Sequence, residues 1–257
     1  VRLVTFNLLH GRSPYDGLVD ETRLAAAVTA LNADILALQE VDRDQSRSGH
    51  LDLTAIAAQA MNAPAHRFAA AVVGTPGEGF RPLTHDDDGH GEPRYGVGLV
   101  SRYPARSWQV TRLTPAPVRA PMFGAGSGLI LLRDEPRVVL AAVLDTPFGP
   151  LTAAATHLSF VPGWNVRQLR QVVRALRALP APRVLLGDLN LPAGPAALVS
   201  RWRLLGRQLT YPAGQPRVQL DHILADPRGS ARLPAVTGVA APVSTISDHR
   251  PLVVDLG

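Results

Sequence analysis

Short apolar runs broken by turn residues dominate this chain. Arg2–Phe6, Ile35–Leu38, Phe68–Val73, Val97–Val100, Leu129–Leu132, Val138–Leu144, Leu151–Thr156, Val184–Leu186, Gln219–Leu224 and Pro251–Val254 have the length and apolar density of strands. Arg133-Asp134-Glu135-Pro136 and Pro147-Phe148-Gly149-Pro150 are turn signals between them, and Val138–Leu151 reads as a hairpin. Three segments switch to helical spacing. Glu21–Leu31 places Leu24, Val28 and Leu31 on one face, with Asp20 as N-cap. Asp52–Met61 groups Leu53, Ile56, Ala57 and Ala60, and Trp164–Leu179 groups Val166, Leu169, Val172, Val173, Leu176 and Leu179 before Pro180 and Pro182. Gly74–Arg94 is Gly-rich, lacks periodicity and reads as a long loop. No composition break marks a linker, so one α/β domain over residues 1–257 is expected. Strands this numerous need two sheets packed face to face, with helices outside.

Several of these strands end in residues of catalytic type. Asn7 follows Leu3-Val4-Thr5-Phe6, Gln39-Glu40 follows Ile35–Leu38, and His157 follows Ala153-Ala154-Ala155-Thr156. Asp188 and Asn190 follow Val184–Leu186, and Ser247-Asp248-His249 precedes the last apolar run. Each alone has an ordinary structural role, as a turn residue, a solvated strand end or an Asx turn. Their repetition at strand ends is the pattern by which α/β folds build sites.

Composition narrows the chemistry. There is no Cys, which excludes disulfides, Cys-ligated zinc and thiol nucleophiles. All 26 basic residues are Arg, which removes a Walker lysine and Schiff-base chemistry. The formal +5 charge suits an anionic partner, although a codon preference explains the all-Arg usage. No Gly-x-Ser-x-Gly elbow or His-Glu-x-x-His is present. What remains is carboxylates and a carboxamide suited to a hard cation, Mg²⁺ or Mn²⁺, with histidines for proton transfer. That set fits metal-assisted phosphoester hydrolysis.

TFNLLHG at 5–11, LQEVD at 38–42, YGVGLVSRYP at 95–104, THLS at 156–159, LLGDLN at 185–190, LDHIL at 220–224 and SDHRPL at 247–252 resemble, in this order, the endonuclease/exonuclease/phosphatase superfamily of DNase I-like proteins. The resemblance spans almost the whole chain. It implies a four-layer α/β/β/α sandwich. It also implies Glu40 as the principal metal ligand, with Asn7 and Asp248 beside the metal or phosphate. Asp188 would orient or deprotonate the attacking water, and Asn190 would hold the phosphate. His249 would contact the phosphate with its tautomer fixed by Asp221, and His157 would contact the phosphate or protonate the leaving oxygen.

The chain departs from the apurinic-site nucleases of that superfamily. Leu9 stands where they carry an acidic or amide residue, with His10 one further on as a candidate at the mouth of the site, and their long DNA-binding loops are not evident. Arg47 is a candidate phosphate contact. Phe160–Trp164 follows His157, so Trp164 is a candidate for stacking a base or entering a lipid interface. Arg167, Arg170, Arg174 and Arg177 read as a solvated helix face rather than a phosphate-tracking stripe. His85, Asp86–Asp88 and His90 read as a solvated loop rather than a second metal site. Arg250 and His222 are expected to point away from the site.

The expected substrate is a nucleic acid or nucleotide phosphodiester first, and a phospholipid or inositol-phosphate head group second. The contrasting class is a catalytically inactive phosphate-binding module. No protein partner is implied, a monomer is expected, and the lack of a leader or an apolar span leads to a cytoplasmic expectation.

Overall fold

Among the described residues the two sheets separate three large apolar clusters. The first cluster lies between the sheets and includes Leu3, Ile35, Ala155, Val184, Leu186, Ile223 and Leu252. The computed structural model describes residues 1–83, 91–117, 119–124, 128–229 and 233–257. In chain order the elements are β1 (Arg2–Asn7), α1 (Glu21–Leu31), β2 (Ile35–Arg43), α2 (Leu53–Ala60), β3 (Ala65–Thr75), β4 (Gly79–Pro82), β5 (Arg94–Ser101), β6 (Ala105–Leu113), β7 (Arg119–Gly124), β8 (Gly128–Arg133), β9 (Arg137–Thr146), β10 (Gly149–His157), α3 (Trp164–Leu176), β11 (Arg183–Asp188), α4 (Ala193–Ser200), β12 (Arg203–Leu204), β13 (Asp221–Ala225), β14 (Val236–Ala240) and β15 (Leu252–Leu256).

One sheet has seven strands in the order β14-β15-β1-β2-β5-β3-β4, and the other has six in the order β12-β13-β11-β10-β9-β6. Strands β7 and β8 form a separate hairpin, so the run at Leu129–Leu132 is a strand outside the two main sheets. Helices α1 and α2 cover the outer face of the seven-stranded sheet through Leu24, Val28, Leu53 and Ile56. Helices α3 and α4 cover the other sheet through Leu169, Val172, Leu176 and Ala196. This is the four-layer α/β/β/α sandwich. No helix among the described residues is long and apolar enough to cross a membrane.

Local chemistry sets the helix ends. The Asp20 carboxylate accepts the Arg23 N–H at 2.7 Å, and Asp52 accepts that of Ala55 at 3.0 Å. Helix α1 closes on Asn32 in the left-handed conformation. Helix α3 ends at Leu176, one turn earlier than its apolar spacing predicts.

The stretch Gly74–Arg94 is not wholly a loop. Strand β3 continues to Thr75 and pairs with β4 in an exposed hairpin that carries no apolar run to announce it. His85, Asp86–Asp88 and His90 lie outside the described residues. The predicted hairpin is β9–β10, with Thr156 facing Val139.

Two glycines let strands approach where a side chain would block them. A Cβ on Gly96 would lie 2.0 Å from the Ala69 carbonyl oxygen, and one on Gly187 would lie 2.1 Å from that of Thr156. Gly187 sits in the ladder between the strands that carry His157 and Asp188. Gly187→Ala should therefore lower stability by about 1–3 kcal/mol through local overpacking. Urea unfolding checks this, and an unchanged midpoint would contradict the close approach.

Candidate active site

The inner faces of four strands change from apolar to polar at the same end of the sandwich. In β1 the series Leu3, Thr5 ends in Asn7, in β10 Leu151, Ala153, Ala155 ends in His157, and in β11 Val184, Leu186 ends in Asp188. In β13, Asp221 precedes Ile223 and Ala225 on the same face. The ladder places Asp188 between His157 and Asp221. Strand β2 reaches the site by a β-bulge. Gln39 and Glu40 stand where Val97 of β5 would face one residue, and Glu40 has a left-handed φ of 53°.

A cleft of about 530 Å³ opens over these strand ends. Glu40, Asp188, Asn190, His157, Asp248 and His249 line it, with His10 and Arg47. Asn7 and Asp221 lie buried beneath.

The Asn7 amide joins the two sheets. Its Nδ2 donates to Glu40 Oε1 at 3.0 Å and to Asp188 Oδ2 at 3.1 Å. Its Oδ1 accepts the Leu9 N–H at 3.1 Å, so both ends of the carboxamide are engaged. His249 Nδ1 lies 2.8 Å from Asp221 Oδ2, and its Nε2 lies 3.8 Å from Asp188 Oδ2. His157 Nε2 lies 3.6 Å from the same Asp188 oxygen. The Asn190 N–H caps Asp188 Oδ1 at 2.9 Å. The Asn190 Nδ2 donates to the Leu158 carbonyl at 3.0 Å and lies 3.3 Å from His157 Nε2. The loop bearing Asp248 and His249 is tied down by Ser247, whose hydroxyl donates to the Asn7 carbonyl at 2.6 Å and accepts the His249 N–H at 3.0 Å. Tyr211 packs on the His249 ring with centroids 4.7 Å apart.

Burial among like charges perturbs these groups. Desolvation, reinforced by Asp248 and resisted by the Asn7 hydrogen bond, pushes the Glu40 carboxyl up to about 7. Desolvation likewise raises Asp188 to about 6 against the pull of His249. Burial alone would lower His249, but Asp221, Asp188 and Asp248 outweigh it and push the imidazole up to about 10. Burial, with the charges of Arg137 and His249, drives His157 well below its ordinary value and keeps it neutral. His10 falls to about 3 through burial and the nearby Arg47 and Arg12.

These donors fit a hard divalent cation. Glu40 is desolvated beside Asp248 with one amide donor, an arrangement that a cation would compensate. Asp188, Asp221 and His249 also offer ligand atoms within 4.8 Å of one another. There the His249 Nδ1–Asp221 Oδ2 hydrogen bond commits one atom of each residue, and Asp221 Oδ1 is buried without a hydrogen-bond partner.

Of the candidates at the mouth of the site Trp164 alone lies away from the cleft, while the residues expected to face elsewhere do so. Trp164 does not line the cleft. Its indole N–H donates to the Thr114 carbonyl at 2.8 Å, and it packs with Ala116, Val161 and Phe160; Phe160 is the ring of that segment lining the cleft. Arg47 lines the cleft, but buried Asp42 holds its Nε at 2.8 Å and Nη2 at 2.7 Å. Arg167, Arg170 and Arg174 are exposed on α3, outside the cleft. Arg250 turns to the Ala213 carbonyl and His222 to that of Leu191.

Tyr95, Glu135, Arg137 and Tyr211 line the cleft without having been singled out. In the sequence Glu135 stands only as part of the turn Arg133–Pro136. The β9–β10 hairpin was the available signal, since its pairing puts the start of β9 beside His157.

The sequence profile of the Endonuclease/Exonuclease/phosphatase family matches residues 4–249, and the chain belongs to that family. Its members are generally divalent-metal-dependent hydrolases of phosphoester bonds. No curated protein matches by sequence. Among solved structures, an endonuclease/exonuclease/phosphatase from Beutenbergia cavernae is similar at 25% identity and TM-score 0.68, over 100% of this chain and 72% of that one. Sphingomyelinase C from Streptomyces griseocarneus shares the fold at 17% identity and TM-score 0.60, over 100% and 99% of the two chains. A mannosyl-6-phosphatase from Bacteroides thetaiotaomicron does so at 16% identity and TM-score 0.60, with the same coverage.

Asn7→Ala removes the donor shared by two carboxylates and should cost about 1–3 kcal/mol of stability. Urea unfolding without divalent ions measures it, and a loss under about 0.5 kcal/mol would contradict the bridging role.

Proposed function

We propose that this protein is a divalent-metal-dependent phosphodiesterase acting on small phosphodiesters, with nucleotides or short nucleic acid first and phospholipid or inositol-phosphate head groups second. The observation that carries this reading is the single constellation in which the Asn7 amide holds Glu40 and Asp188 between His157 and the His249–Asp221 pair. Compensation of the cleft by Arg47 and Arg137, with the α3 arginines outside it, favours a small substrate over a duplex tracked along a basic stripe.

Glu40 and Asp248 would hold Mg²⁺ or Mn²⁺, with Asn7 fixing Glu40. The ion supplies Lewis-acid polarisation of the phosphoryl group. Asp188, held by the Asn7 amide and the Asn190 N–H, orients the attacking water and takes its proton. The water oxygen bonds to phosphorus as the P–O ester bond breaks, and solvent protonates the leaving oxygen. Protonated His249, held by Asp221, stabilises charge on the phosphoryl oxygens. Neutral His157 and the Asn190 amide hydrogen-bond to the same group. An inactive binding module would not need both a water-orienting carboxylate and a carboxylate-fixed imidazole.

Hydrolysis of bis(p-nitrophenyl) phosphate with Mg²⁺ or Mn²⁺ tests the reaction. Glu40→Ala should lower turnover at least about 100-fold, because the cation's charge stabilisation is worth several kcal/mol. A wild type inactive on every phosphoester with either ion would refute the enzyme. Cyclic and linear dinucleotides, plasmid at low salt and phospholipid vesicles, run side by side, separate the substrates. Hydrolysis of vesicles alone would reverse their order.

A further inference from the structure

Arg137 opens β9 in the wall of the cleft, with only 4% of its side chain exposed. Its Nη2 lies 3.1 Å from Glu135 Oε1 and 3.7 Å from Asp134 Oδ1. Its Nε and Nη1 are buried without a hydrogen-bond partner. A purely structural arginine in this same protein is satisfied differently. Arg183 gives Nε to the Leu179 carbonyl at 2.7 Å, Nη1 to Asp226 at 2.8 Å and Nη2 to the Arg177 carbonyl at 3.2 Å. Arg47, the other guanidinium in the cleft wall, has two nitrogens committed to Asp42. Arg94 also has an unpartnered nitrogen but does not line the cleft.

Buried N–H groups without acceptors are costly, and in a cleft wall a ligand can supply the missing acceptor. The turn before Arg137 is firmly held, since Asp134 Oδ2 accepts the Ala116 N–H at 2.8 Å. Arg137 lines the same cleft as His157 and Glu40, and its charge helps to lower the His157 imidazole. Phosphoryl oxygens are the acceptors that a guanidinium fits best.

We infer that Arg137 is a substrate-binding residue whose unpaired N–H groups donate to a non-bridging oxygen of the phosphoryl group in the cleft, with Glu135 as its positioning residue. This inference rests on the phosphoesterase reading above. Arg137 sets affinity for the phosphoryl group, whereas Glu40 sets the reaction.

The test is binding of inorganic phosphate, by calorimetry with Mg²⁺ present, to the wild type, Arg137→Lys and Arg137→Gln. Loss of a charge-assisted hydrogen bond should weaken phosphate at least about tenfold in Arg137→Gln, with Arg137→Lys intermediate. With bis(p-nitrophenyl) phosphate the same variant should raise KM more than it lowers kcat. Unchanged phosphate affinity and KM in folded Arg137→Gln would overturn the inference. The wild type supplies a readout free of any folding defect: in ¹⁵N-arginine-labelled protein, phosphate should shift the Arg137 Nε–H resonance. An unmoved resonance at saturating phosphate would overturn the inference as well. A wild type that hydrolyses no phosphoester, yet binds phosphate through Arg137, would sink the enzyme reading and leave this contact standing.

Discussion

Everything at the functional end of this protein hangs on one carboxamide. The Asn7 Nδ2 reaches Glu40 in its own sheet and Asp188 in the opposite sheet, at 3.0 and 3.1 Å. Without it the desolvated Glu40 carboxylate would lose the side-chain donor that offsets its burial. The amide carries no charge, so it holds both groups without neutralising either. Burial then raises Glu40 to about 7 and Asp188 to about 6, which suits the roles proposed for them.

The same logic runs through the sandwich. A β-strand shows one face to one layer, so an inner face that is apolar for most of its length delivers its last side chain to the gap between the sheets. Asn7, His157, Asp188 and Asp221 are delivered in this way. Glu40 is the exception, because a bulge and a left-handed backbone are needed to turn it into the cleft. His249 arrives from a loop, and Ser247 compensates for the lost rigidity by tying that loop to the Asn7 carbonyl. The rigid strands and the tied loop together pre-organise the site.

How far the sequence foretold this depends on burial. Inner strands such as Arg2–Asn7 and Arg183–Asp188 are readable because both faces are buried and the run is apolar. Strands β6 and β14 escaped because they lie at sheet edges with mostly exposed or half-exposed side chains, and so carry no apolar run. Helix α4 escaped because Ala-Gly-Pro-Ala-Ala has neither a polar cap nor an amphipathic stripe. Residues at strand ends could be nominated from their neighbours, as with Asp188 and His157. Arg137 could not, since its importance lies in hydrogen bonds it does not make. Trp164 follows His157 closely in sequence, but adjacency along a chain does not fix direction, and the start of α3 turns the indole towards Thr114.

Two groups of ligand atoms compete for the cation: Glu40 with Asp248, and the set Asp188, Asp221 and His249. In the proposed mechanism the ion sits at the first, and the second handles protons. An anomalous difference map from crystals grown in Mn²⁺ decides between them. A peak is expected against the Glu40 carboxylate on the side of Asp248. A peak enclosed by Asp188, Asp221 and His249, with none beside Glu40, would contradict that placement.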